Sequence, residues 1–166
     1  MGMSPSDYFE SFVEGNLEDC HDNPGCVRRA FNAAVAASHL ADHYFAFNSR
    51  HKPQVVAAYP TIGAFVAYLE SQTGGAFRDI RSIANAYKHL YTDTDPRRAA
   101  QSNVNSSGSL DSIDLASDPE LIHISEEYGT DQSAVVFRRK DGSSSELLPI
   151  LDKFVDYWRK SIYDGA

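Results

Sequence analysis

The stretch GAFRDIRSIANAYKHLY, Gly75–Tyr91, decides how this chain folds. Phe77, Ile80, Ala84, Tyr87 and Tyr91 recur at intervals of three and four, the apolar stripe of an amphipathic helix. The opposite side reads Arg78, Ser82, Asn85 and His89 at helical spacing, with Arg81 and Lys88 flanking them. Three bases (Arg78, Arg81, Lys88) against one acid (Asp79) make the local charge +2 on a chain of net charge −8. A helix that only filled space in so acidic a chain would mix both signs, so this one is the candidate functional element.

Working toward the N-terminus, Thr73-Gly74-Gly75 ends a preceding helix over Thr61–Gln72, with Ile62, Phe65, Val66 and Leu69 inward. Pro53 and Pro60 prevent one continuous helix across His51–Gln72 and leave a short helical piece at Gln54–Ala58. Before them, Val27, Phe31, Ala34, Ala41 and Phe45 mark a long helix over Pro24–Asn48, rich in the alanines that let a neighbour approach closely. Ser4 as cap and Pro5 in the first turn open a helix over Pro5–Asp19.

Working toward the C-terminus, the composition changes at Thr92–Pro119, a Ser-, Asp- and Asn-rich stretch whose few apolar residues show little period. Such a segment reads as a flexible connector, the most mobile part of the chain, open to protease at Arg97-Arg98. The period then becomes two: Leu121–Tyr128 and Ala134–Lys140 read as antiparallel strands joined at Gly129-Thr130-Asp131. Asp141-Gly142 marks a further turn, with a third strand at Ser143–Leu148. Pro149 opens a last helix to Tyr163, burying Ile150, Leu151, Phe154, Trp158 and Ile162. The expected fold is mainly α: a four- to five-helix up-and-down bundle over 5–91 and 149–163. A connector at 92–119 and a small antiparallel hairpin or three-stranded meander at 120–148 precede the C-terminal helix.

Its 166 residues suit one domain, and 42% hydrophobic content is ample for a core. No apolar run reaches the roughly 18–20 residues that a membrane helix needs, and the first ten residues lack the blocks of a signal peptide. They fit the loose Met-Gly-x-x-x-Ser acylation pattern, a weak signal. A soluble cytoplasmic protein is expected, with Cys20 and Cys26 as free thiols. The net charge disfavours broad nonspecific binding to DNA, whose phosphates it repels, but leaves room for a local basic groove that holds a short RNA or a nucleotide.

Chemistry concentrates on two helices. His89 can exchange a proton near neutrality, Lys88 beside it can steady an anion, and Asn85 one turn earlier can orient a ring or a ligand. Asp42 can pair with Lys88 or hold a tautomer of His89 if the two helices are neighbours. A purely structural alternative is a buried Asp42–His89–Asn85 network that locks helix register. His39 and His43 are four apart, a metal-ligand spacing, but Asp42 lies about 100° from His43 around the helix. Cys20 and Cys26 precede the helix, so neither a metal nor a cofactor is expected. His21, His51 and His123 read as surface or loop residues.

HLAD (His39–Asp42) and IANAYKH (Ile83–His89) resemble motifs of uncharacterised bacterial helical-bundle proteins related to the HEPN superfamily. The resemblance covers roughly residues 5–91, and more loosely the small sheet and last helix, and implies a helical domain of a kind frequently found as a ribonuclease or nucleotide-binding module. It also implies toxin–antitoxin or phage-defence settings, and homodimers. The family's ribonuclease motif places its His a shorter interval after Arg. Here residues 82–88 separate Arg81 from His89, and residues 79–88 separate Arg78 from it. The expected function is therefore a non-catalytic HEPN-like module that binds RNA, a nucleotide or a protein partner through Arg78, Arg81, Asn85, Lys88, His89, Asp42 and His39. The enzyme alternative is a divergent metal-independent ribonuclease with His89 as base and Arg81 or Lys88 on the phosphate. A structural or oligomerisation role is the third reading.

Overall fold

The computed structural model describes residues 2–92, 95–114 and 133–163. Ser4 and Asp7 form a reciprocal capping box at the start of α1 (Pro5–Tyr8). The helix continues without a break through a π-helical turn, Phe9–Glu14, into α2 (Gly15–Asp22). The wider turn leaves Phe12 exposed while Phe9 and Val13 are buried, and Asn16 Nδ2 donates to the Phe12 carbonyl at 2.6 Å. Asn23 to Gly25 turn the chain into α3 (Val27–His51). That turn lies against the sheet, because the Val135 amide donates to the Pro24 carbonyl at 3.0 Å. A Cβ on Gly25 would sit 1.8 Å from the Ser133 hydroxyl, so only glycine fits there.

After α4 (Pro53–Val56), Thr61 caps α5 (Ile62–Gln72) by accepting from the Ala64 amide. Gly75, left-handed at φ 87°, opens α6 (Ala76–His89). Helix α6 packs more extensively on α3 than on any other helix, with Phe31 of α3 stacked on Tyr87 of α6 at 3.7 Å, and α3 buries Ala30, Ala33, Ala34, Ala37 and Ala41. Helix α8 (Leu148–Tyr163) closes the bundle. Phe154 from α8 stacks on Phe77 from α6 at 4.8 Å, 3° from parallel, and Trp158 lies 1% exposed among Tyr44, Phe65 and Phe154. The architecture is mainly helical, an up-and-down bundle with a small three-stranded antiparallel sheet before the C-terminal helix.

That sheet is assembled differently from the sequence expectation. Its strands are β1 (Leu110–Asp114), β2 (Ser133–Arg138) and β3 (Ser144–Glu146), in the order β1-β2-β3. Leu110 pairs with Phe137 and Phe137 with Ser145, so the two edges of β2 are taken by β1 and β3. The first strand thus comes from inside the stretch 92–119 that reads as a connector, and the expected strand Leu121–Tyr128 lies outside the described residues.

The connector reading also fails for residues 95–109. They form α7 (Pro96–Gln101) and a 3₁₀ turn, Ser107–Ser109, with Ser102 and Val104 buried. Thr92, fully buried, donates its hydroxyl to the Val104 and Asn105 carbonyls, and its amide donates to Asn105. Polar composition does not prevent order here, because distant backbone groups satisfy the segment and Val104 and Leu110 anchor it in the core. Among the described residues no helix is long and apolar enough to cross a membrane.

Candidate functional site

Residues 78, 81 and 85 fall at steps of three and four, so α6 presents Arg78, Arg81 and Asn85 along one side. That side lines a groove of about 370 Å³. Asp42 of α3 and Glu70 of α5 face the same space, Ile62 and Val66 of α5 add an aliphatic wall, and Ala100 and Gln101 of α7 complete it. Arg78 Nη2 donates to the Ala100 carbonyl at 3.1 Å, and the Arg81 guanidinium sits 5.8 Å from the Phe77 ring centre. The groove can seat an anionic group against two guanidiniums, with an amide at one side for a further hydrogen bond.

The groove brings together Asp42, Arg78, Arg81 and Asn85 of the sequence-derived residues, and His39, Lys88 and His89 do not line it. His39 and Lys88 are exposed and His89 is half-buried near the end of α6. Helices α3 and α6 are neighbours, yet Asp42 and Asn85 are exposed, and no hydrogen bond among the described residues joins Asp42, Asn85 and His89. The buried register-locking network is therefore corrected. Asp42 and Asn85 face the groove and His89 stands apart from it, while Phe31 and Tyr87 stack where α3 meets α6. His43 is engaged in holding the N-terminus, since its Nε2 meets the Met3 carbonyl at 2.8 Å and its ring stacks on Tyr8 at 4.8 Å. Among the described residues no group of three or more His, Cys, Asp or Glu side chains is arranged to hold a metal.

The strongest polar cluster is one that the sequence reading passed over. Asp79, 6% exposed, accepts from Arg139 Nε at 3.0 Å and Nη2 at 2.7 Å, and from Asn103 Nδ2 at 2.8 Å. Arg139 also donates to the Ser145 hydroxyl at 2.7 Å and lies over the Phe137 ring at 4.5 Å. The hydrogen bonds to Asp79 hold the guanidinium above its ordinary pKa. Ser82, fully buried, accepts from the Asn103 amide at 2.8 Å and donates to the Arg78 carbonyl at 2.7 Å. This cluster clamps α6 to the sheet and to the segment behind α7, and so supports the groove wall from beneath. A signal was present: Asp79 falls between Ala76, Ile80 and Ile83 on the apolar side of α6, where an acid needs a buried partner. In comparisons with known protein families, with curated protein sequences and with solved structures, nothing matches this chain.

Proposed function

We propose that this chain is a cytoplasmic, non-catalytic HEPN-like binding module whose groove seats the anionic group of a ligand on Arg78 and Arg81. The observation that carries the reading is the convergence of these two guanidiniums and Asn85 on one concave space between four helices. Phosphates of RNA or a nucleotide, or a carboxylate of a protein partner, present the same oxygens to such a pair. The absence of His89 from the groove lining argues against cleavage, since a general base must stand within hydrogen-bond reach of its proton.

An NMR titration with inorganic phosphate and with acetate, followed at the arginine side-chain N–H signals, tests the reading. The Arg78 and Arg81 signals should move with saturation, the Arg78 movement should weaken in Arg81→Gln, and the His89 ring signals should stay in place. Movement centred on His89 and Lys88, or cleavage of bulk RNA that is lost in His89→Ala, overturns the non-catalytic reading.

A further inference from the structure

We propose that the groove is selective for an aliphatic zwitterion: a ligand that carries a carboxylate, an ammonium and an aliphatic side chain, as a free amino acid or a short peptide does. The inference rests on the groove reading above and names its ligand class. Two carboxylates, Asp42 and Glu70, line the same space as the two guanidiniums, but they come from different helices. None of the four forms an ion pair among the described residues, although the chain pairs Asp79 with Arg139 and Glu14 and Asp156 with Arg159 elsewhere. The bundle frame thus holds opposite charges around one cavity without letting them neutralise each other. A ligand that carries both signs satisfies both sets, and a ligand with one sign meets repulsion from the other.

The rest of the lining agrees. Ile62, 37% exposed, and the exposed Ala67 beside it offer an aliphatic surface that a hydrocarbon chain would cover. Among the described residues no aromatic ring lines the groove, so a nucleobase would lack the stacking partner that single-stranded nucleic acid sites use. The two acids would also oppose a run of phosphates. The volume stands at the small end of the roughly 300–1,000 Å³ typical of ligand sites, which suits a compact molecule rather than a polymer. Asn85 and Gln101 add side-chain amides able to match a peptide bond, so a free amino acid and a short peptide share the chemistry.

Calorimetric titrations with L-leucine and leucyl-leucine, with N-acetyl-leucine and leucinamide as blocked analogues, and with inorganic phosphate test the inference. A zwitterion is expected to bind at least about tenfold tighter than either analogue that lacks one charge. Asp42→Asn should erase discrimination against the acetylated amine, and Arg81→Gln should erase discrimination against the amide, with circular dichroism unchanged in both. Tighter binding of leucyl-leucine assigns a peptide, and equal or tighter binding of leucine assigns a free amino acid. If phosphate binds through Arg81 while zwitterions bind no better than their blocked analogues, the groove reading stands and the zwitterion falls. If the folded protein binds none of these probes, both fall.

Discussion

At the scale of single residues, Asp79 and Leu90 carry the clearest consequences. Asp79 is a buried carboxylate that Arg139 holds through two nitrogens, with Asn103 on the same oxygen as Nε. Removing it leaves a guanidinium that is one-fifth exposed without its counter-charge. Asp79→Ala should therefore lower unfolding stability by about 3–5 kcal/mol, read from urea titrations, and a double Asp79→Leu, Arg139→Met variant should recover most of the loss. A cost under about 1 kcal/mol for the single variant would show that the pair is solvated. Leu90, at φ 60° and ψ −50°, is the one non-glycine residue with positive φ among those described. The Tyr91 amide reaches back to the His89 carbonyl at 2.6 Å, a tight three-residue turn that L side chains rarely adopt. Its side chain is 56% exposed, so little packing is lost on removal. Leu90→Gly should raise stability by about 1 kcal/mol, seen as a higher thermal midpoint, and Leu90→Ala should not.

At the scale of elements, α7 shows how a short helix is held by its neighbours. Six residues are too few to be helical alone. Asp95 accepts from the Arg97 amide at its start, and two cations satisfy its last carbonyls: Lys140 Nζ on Ala99 at 2.8 Å and Arg78 on Ala100. Cleavage by trypsin after Arg97 should therefore be slow in the native protein, and Lys140→Gln should speed it severalfold, followed by mass spectrometry. Rapid cleavage there in the unmodified protein would mean that these tethers do not hold. The longer helices needed no such help to be read. Helices α3, α5, α6 and α8 lie within a few residues of the ranges their apolar periods mark, because each stripe repeats over several turns. The π turn at Phe9–Glu14 was not legible, since the spacing of Tyr8, Phe9, Phe12 and Val13 fits an ordinary helix as well.

At the scale of the whole molecule, the burial that makes the core also raises the pKa of groups spread through it. Burial, aided by Asp152 and Cys26, pushes the Cys20 thiol up to about 11 from an ordinary 9.0. Burial, with a hydrogen bond from the Tyr157 hydroxyl to Tyr68, pushes Tyr157 up to about 12 from 10.0, and burial raises Tyr44 as well. An acid whose folded pKa is raised ionises first in the unfolded chain. Its contribution to stability is therefore complete below the ordinary value and is lost as pH climbs through the folded one. Urea midpoints should hold steady up to about pH 9 and then fall toward pH 12, with Cys20→Ala flattening the portion between 9.0 and about 11. A midpoint that stays level to pH 12 would show these groups to be hydrated. What the sequence determined by itself was the set of local periods: the helical stripes, the turns at their ends, the strand at Ala134 and the polar side of α6 with Arg78, Arg81 and Asn85. These depend on neighbours within about four residues along the chain. Tertiary structure alone decided that Asp79 meets Arg139 sixty residues on, that residues 95–114 are ordered, and that Asp42 and Glu70 share a groove with the arginines while His89 does not. Each depends on the distance between elements remote in the chain, and no local spacing encodes that distance.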